Sequence, residues 1–337
     1  MTILITGGAG FIGSHFIRHV LNTYPEDRVV DFDKLTYAGN LDNLRDVEEK
    51  VAQEGKRDSP RYVFVQGDIA DEAMIREVMA REKVEAVVNF AAETHVDRSI
   101  HDPRPFLEAN VLGVGVLLAV AREFGAKRFV QVSTDEVYGS ISEGYCTETA
   151  ALNPANPYSA CKAGAEHLVL SFAHTYGLEV AITRGSNTFG PHQHPEKFIP
   201  RTVTRLLAGK TVPVYGYGLN IRTWLAVEDH AAAIDAVLRS GQNGEVYNIA
   251  GAVEKPNIEV ALSIAYLLGK PPRLIEFVED RPGHDFRYGV DAGKISRELG
   301  WMPERSFEDE LQETVRWYTE NPWWWQKIIG EGKVEYL

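Results

Sequence analysis

Short apolar runs bounded by glycines and polar turns alternate along this chain with stretches whose apolar residues recur every three or four positions, the pattern of doubly buried strands alternating with amphipathic helices. Thr2 to Thr6 reads as a buried strand, and after Gly7, Gly10 and Gly13 the positions Phe16, Ile17, Val20 and Leu21 mark one face of a helix. A second strand, Arg28 to Phe32, ends in Asp33; a charged helical stretch runs on to about Glu54, and a polar turn fills Gly55 to Pro60. Strands are expected again over Tyr62 to Gln66, Val84 to Phe90, Phe129 to Ser133 and Val180 to Thr183. Helices fall between them: one from near Glu72, a broad apolar one from about Pro103 to Phe124, and one opened by Asn156 as cap and Pro157 at its first position and closed by Gly177. Beyond Thr183 the alternation loosens into polar loops. A helix near Glu308 to Tyr318 and the run Trp323-Trp-Trp325 are expected to cover core.

The first turn carries chemistry. In a strand, glycine turn, helix unit, Gly7 makes the tight turn, Gly10 lets backbone approach a pyrophosphate, and Gly13 lets helix and strand pack closely, with the phosphates on the free N–H groups of the helix start. Asp33 lies 20 residues after Gly13, the spacing at which a carboxylate meets ribose hydroxyls, so NAD is expected rather than NADP. Asp68, at the tip of the third strand, can reach an adenine amino group, cap the helix near Glu72, or do both. Ala91 and Ala92 are small enough to let a dinucleotide pass. The pattern predicts an α/β fold: a Rossmann-type doubly wound parallel sheet over residues 1–185, rejoined by about 222–250. A smaller mixed α/β substrate region is expected over 186–221 and 251–337.

The strand ending at Ser133 delivers Thr134, Asp135 and Glu136 to the carboxyl edge, where open parallel sheets bind ligands. Tyr158 and Lys162 lie four apart on one helix face, so an ammonium beside the phenol is expected to lower its pKa and make it a base. Lys197, Arg222 and Arg281 could hold a diphosphate or be solvated surface charges. The Pro103 to Phe124 helix could be core or a dimer interface.

The net charge of −13 over 337 residues disfavours nucleic acid and anionic membrane as partners. No unbroken apolar run nears 18 residues, and a strand beginning at residue 2 leaves no room for a signal peptide, so a cytoplasmic enzyme is expected. Cys146 and Cys161 read as free thiols, too few for a disulfide framework or a metal cluster, and no metal is expected.

With Gly7-x-x-Gly10-x-x-Gly13, Thr134 and Tyr158-x-x-x-Lys162, the chain resembles the extended short-chain dehydrogenase/reductases that act on nucleotide sugars. The resemblance runs almost end to end, through Asp33 to Asn40, Ala91-Ala-Glu93, His95 to Ser99, Ser133 to Gly139, Trp224 with Val227 to His230, and Asp280 to Asp285. The Asp135-Glu136 pair points to the dehydratases among them, since related epimerases usually lack it.

That resemblance implies dehydration of dTDP-glucose to its 4-keto-6-deoxy sugar. Tyr158, with Lys162 and Thr134, would take the C4 hydroxyl proton; Glu136 would remove the C5 proton; protonated Asp135 would serve the departing C6 hydroxyl. It further implies NAD contacts at Phe11, Ile12, Asp33, Lys34, Leu35, Thr36, Asp68, Ile69, Phe90, Ala91, Ala92, Thr94 and Thr188. Nucleotide-sugar contacts are implied at Thr94, Thr134, Asn187, Lys197, Phe198, Pro213, Val214, Tyr215, Arg222, Asn257, Asp280, Arg281, Pro282, Gly283 and His284. A homodimer through the Pro103 to Phe124 and Pro157 to Tyr176 helices is implied as well. Thr94, Ala109, Gly185 to Phe189 and Thr223 depart from the family's usual residues. A UDP-sugar dehydratase or 4-epimerase is the alternative, and a catalytically silent NAD-binding regulator a remoter one.

Overall fold

The computed structural model describes residues 1–53, 60–280 and 283–332. Seven parallel strands form the main sheet: β1 (Thr2–Thr6), β2 (Arg28–Asp33), β3 (Tyr62–Gln66), β4 (Ala86–Asn89), β5 (Arg128–Thr134), β6 (Val180–Gly185) and, after a long excursion, β10 (Glu245–Ile249). Their spatial order is β10-β6-β5-β4-β1-β2-β3. The order reverses at β1, which pairs with β2 on one side and β4 on the other, and opens a crevice at the carboxyl ends. This is the doubly wound α/β fold. The central strands are apolar without interruption because both faces are covered: Ile3 and Ile5 pack toward helices Phe11–Thr23 and Val227–Ser240, Leu4 toward helices Glu72–Glu82, Val114–Glu123 and Pro157–Tyr176.

The excursion builds the second region. Strands β7 (Asn187–Phe189), β9 (Ile221–Ala226) and β11 (Val253–Pro256) form a three-stranded sheet in the order β11-β9-β7, and β8 (Val212–Tyr215) pairs with β12 (Ile275–Val278). Its core joins Phe189, Ile199, Val203, Trp224, Ile264 and Phe307 to the C-terminal helices Phe307–Glu320 and Pro322–Gly330. Of the tryptophan run, Trp324 and Trp325 are buried, whereas Trp323 points outward and is 46% exposed, against expectation: three consecutive residues of a helix span most of a turn and cannot share one face.

Two further expectations change. Helix Glu72–Glu82 is capped by Asp71, whose side chain accepts from the Met74 amide; Asp68 instead accepts from Ala70 and serves the turn before it. The long apolar helix is broken into Arg104–Leu107, a wider π turn over Glu108–Gly113, and Val114–Glu123. An 18-residue window within it reaches a mean hydropathy of 1.5, which a search for unbroken apolar runs passes over; Val114, Leu117, Leu118 and Val120 bury in the core beside the sheet.

Candidate active site

The carboxyl edge opens into a cleft of about 540 Å³ that runs from the glycine turn to the Tyr158 helix. Gly7 sits at φ +71°, and a Cβ there would come within 2.7 Å of the Ala91 amide nitrogen; one on Gly13 would lie 2.4 Å from the Gly7 carbonyl oxygen. Strand, turn and helix therefore meet backbone to backbone. Helix Phe11–Thr23 begins at Gly10 with no side-chain cap and no acid in its first turn, so its free N–H groups face the cleft as an anion seat. Phe11, Ile12, Phe90, Ala91 and Ala92 line the same wall.

At the β2 tip, Asp33 Oδ2 accepts from the Ala9 amide at 3.0 Å and Oδ1 from the Leu35 amide at 2.7 Å. Burial raises this carboxyl despite both bonds. Lys34 Nζ lies 2.6 Å from Asp68 Oδ2, and Lys34, Thr36, Asp68 and Ile69 line the cleft. Leu35, at φ 55°, shapes the turn but does not line it. An uncapped helix start facing an acid at the second strand tip fits the pyrophosphate and ribose of NAD.

The other end holds the titratable residues. Thr134, Asp135, Glu136, Tyr158 and Lys162 all line the cleft. The Thr134 hydroxyl accepts from the Glu136 amide at 3.2 Å and donates to Asp135 Oδ1 at 3.3 Å. Burial, then the Glu136 charge, push Asp135 up to about 8, with Arg222 and the Thr134 bond opposing. Asp135 Oδ2, Ser133 Oγ and Asn187 Oδ1 are buried polar atoms with no hydrogen-bond partner among the described residues, on a wall shaped to receive a polar ligand.

Tyr158 departs from expectation. Its phenol is pushed well above its ordinary range, by burial first and then by Glu136, eased by a hydrogen bond with Thr134. Lys162 does not counter this: its Nζ donates to the Val132 carbonyl at 2.6 Å, and burial lowers it to about 8.

A buried relay ties these elements together. Arg184 on β6 pairs with Glu166 of the Tyr158 helix at 2.6 Å and donates to the Tyr138 hydroxyl at 2.6 Å, while Tyr138 donates to Asn248 on β10 at 2.7 Å. Tyr138 closes the short 3₁₀ turn Asp135–Tyr138 that presents the two carboxyls.

A second cavity, of about 830 Å³, adjoins the first and shares Thr94, Glu136, Asn187 and Lys197 with it. Phe198, Tyr215, Arg222, Asn257 and His284 line its far part. Arg222 is buried, donating to the carbonyls of Ile221 at 2.7 Å, Asp285 at 2.9 Å and Phe286 at 3.2 Å; neighbouring Thr223 donates to the Tyr288 carbonyl at 3.3 Å. Lys197 reaches the Thr94 carbonyl at 3.0 Å. Thr188 joins His230 Nδ1 at 2.7 Å under the first cavity. Among the other expected contacts, Val214 is core, and Pro213, Asp280 and Gly283 do not line the cavity, although Asp280 holds His284 at 2.6 Å. Arg281 and Pro282 lie outside the described residues.

Sequence reasoning passed over three residues of this wall. Glu196 is buried 3.6 Å from Lys197 and 3.7 Å from both His95 and His194. Burial raises its carboxyl, and these neighbours outweigh that, leaving it lowered. Its position directly before Lys197 was the available signal. Tyr37 and Arg201 also line the second cavity, and only tertiary folding brings them there. The Ala109 position falls in the π turn, a feature that often marks functional sites, and lines the first cavity.

The sequence profile described as GDP-mannose 4,6 dehydratase matches residues 4–314. A dTDP-glucose 4,6-dehydratase of Neisseria meningitidis serogroup B is 47% identical over 99% of this chain and 98% of its own. The low-salt glycan biosynthesis protein Agl12 of Haloferax volcanii is 50% identical over 94% of this chain and 98% of its own. Among solved structures, the dTDP-glucose 4,6-dehydratase DesIV of Streptomyces venezuelae, determined with NAD and dTDP bound, superposes with a TM-score of 0.92 at 48% identity, covering 97% of this chain and 100% of that one.

Proposed function

The chain belongs to the GDP-mannose 4,6 dehydratase family, and on that premise we propose that it dehydrates dTDP-glucose to dTDP-4-keto-6-deoxyglucose with NAD held in the first cleft. It is a hydro-lyase. The observation that carries this reading is the Asp135-Glu136 pair beside Tyr158: both carboxyls line the first cavity with it, and Glu136 lines the second as well.

NAD, when bound, supplies the two-electron acceptor and donor and a pyridinium charge that favours a phenolate beside it. Tyr158 receives the C4 hydroxyl proton, and Thr134 holds the phenol in place. Glu136 takes the proton from C5, which a neighbouring ketone acidifies. Asp135, raised to about 8, is protonated at neutral pH and gives its proton to the leaving C6 hydroxyl. The two carboxyls thereby divide the elimination into a base and an acid. Once the hydride taken from C4 has been returned to C6, Glu136 would give a solvent-exchanged proton back to C5. The proton held by Tyr158 would make good the one lost by Asp135, so the net change is loss of one water. In the second cavity Lys197, Arg222 and His284 offer donors to a diphosphate, against the chain's overall negative charge, and Tyr215 offers a ring to the base.

Incubation of the purified protein with dTDP-glucose in D2O tests this by NMR. A 4-keto-6-deoxy product with deuterium at C5 is expected. An unchanged sugar, with and without added NAD, overturns the reading, and a higher kcat/KM for UDP-glucose moves the substrate to a UDP-sugar.

We further propose a homodimer through the helices around Arg104–Glu123 and Pro157–Tyr176. Leu107 and Tyr176 on them are 52% and 49% exposed, and Phe124, just past the first, is 38% exposed, large apolar surfaces for a solvated helix pair. Light scattering at micromolar concentration should give twice the 37.6 kDa chain mass; a monomer removes the proposal.

A further inference from the structure

The C-terminal helix Pro322–Gly330 belongs in sequence and core to the second region, yet it reaches back to the glycine turn. Trp324, only 1% exposed, donates its indole N–H to Asn43 Oδ1 at 2.9 Å. Asn43 Nδ2 in turn donates to the Ala9 carbonyl at 2.9 Å. Ala9 sits between Gly7 and Gly10, and its own amide is the one that donates to Asp33 at 3.0 Å. The two bonds fix the Asn43 amide one way round, since a flip would set donor against donor and acceptor against acceptor. Trp324 and Ile328 of the same helix also line the first cleft. On the surface side, Lys327 pairs with Asp42, next to Asn43.

We infer that Trp324 is a positioning residue for the cofactor: through Asn43 it fixes the Ala9 carbonyl of the glycine turn, and so makes the C-terminal helix a clamp that slows the escape of NAD. A buried indole needs an acceptor, but a solvent or local carbonyl would satisfy that need. Here the acceptor is a buried amide whose other end is spent on the turn that seats the pyrophosphate. The consequence matters for this chemistry. Electrons taken from C4 must return to C6 of the same sugar, so cofactor loss within a cycle strands the intermediate. The inference rests on the reading that the first cleft holds NAD.

The test measures release of labelled NAD from purified holoenzyme chased with unlabelled NAD. Trp324→Phe keeps an aromatic ring and removes the donor; release is expected to accelerate roughly fivefold, the loss of one net hydrogen bond. Trp323→Phe, on the exposed face of the same helix, should release NAD at the parental rate. A helix-wide packing effect would move both variants, and a purely local bond would move neither release rate; either result overturns the inference. If Trp324→Phe does not fold, Lys327→Glu sets like charges against Asp42 and should accelerate release at low salt, and adding Asp42→Lys should restore the parental rate. Absence of acceleration there is equally fatal. A protein that binds no NAD at all fails the cofactor reading itself, and this inference with it.

Discussion

The Thr134 hydroxyl donates to Asp135 Oδ1 at 3.3 Å while accepting from the Glu136 amide at 3.2 Å, so one side chain spaces the two carboxyls of the elimination. Asp135 bears the cost of burial, and at about 8 it keeps its proton at neutral pH. An acid raised in the folded protein is active below its pKa and lost above it. The rate is therefore expected to fall as pH rises through about 8. Asp135→Asn should remove that limb and lower kcat by roughly 10² to 10⁴. A pH profile of kcat/KM for both proteins, which reports the free enzyme, checks this; a wild-type limb that survives in the variant assigns it elsewhere.

Glu136 stands at the junction of both cavities, in position to reach a sugar held between cofactor and nucleotide pocket. Glu136→Gln keeps the shape of the side chain and removes the base. Deuterium incorporation at C5 from D2O should vanish, while NAD stays bound and dTDP-glucose binds with a similar Kd. Exchange at the parental rate would take the role of base from Glu136.

The main sheet was legible because its signals are local and strong. Strand Tyr62–Gln66 and helix Pro157–Tyr176, with Asn156 and Gly177 at its ends, lie where apolar period and capping residues put them. The glycine turn and Asp33 were legible for the same reason, as backbone needs at fixed spacing. What escaped depends on distant partners. Nothing near Asn43 announces Trp324, which arrives 281 residues later. Lys162 reads as a neighbour of Tyr158 on a helix wheel, but the Val132 carbonyl, on the adjoining strand, takes its ammonium. Periodicity likewise cannot show that the ladder widens over Glu108–Gly113, because one inserted residue barely changes which positions are apolar.

Arg184 and Glu166, 5% and 1% exposed, form a buried pair between β6 and the Tyr158 helix. Three nitrogen-to-carboxylate contacts of 2.6 to 3.2 Å make it effectively bidentate, and Arg184 also holds Tyr138. Removing one partner leaves an uncompensated buried charge. Glu166→Ala should cost about 3 to 5 kcal/mol in urea unfolding, whereas the exposed pair of Arg45 and Glu49, 3.0 Å apart, should cost under about 1 kcal/mol when Glu49 becomes Ala. Similar losses in the two variants would show that the buried pair does not hold the turn carrying Asp135.

His230 lies fully buried with Nδ1 on the Thr188 hydroxyl at 2.7 Å, and burial lowers it to about 4. An unfolded histidine takes its proton near pH 6.5, whereas this one resists until about 4. Its contribution to stability is thus complete above pH 6.5 and drains away as pH falls toward 4, at about 1.36 kcal/mol per pH unit. Glu310, raised to about 7 by burial and Glu228, works in the opposite direction, so total stability against pH does not isolate the histidine. The difference between proteins does. His230→Gln keeps a hydrogen-bonding group for Thr188, whose own proton goes to the Ser186 carbonyl, and has nothing to protonate. Between pH 7.5 and 5.0 the parent should lose roughly 2 kcal/mol more than the variant in urea unfolding. Parallel losses would mean that the imidazole is protonated in the folded protein, and that the floor of the first cavity carries charge at pH 5.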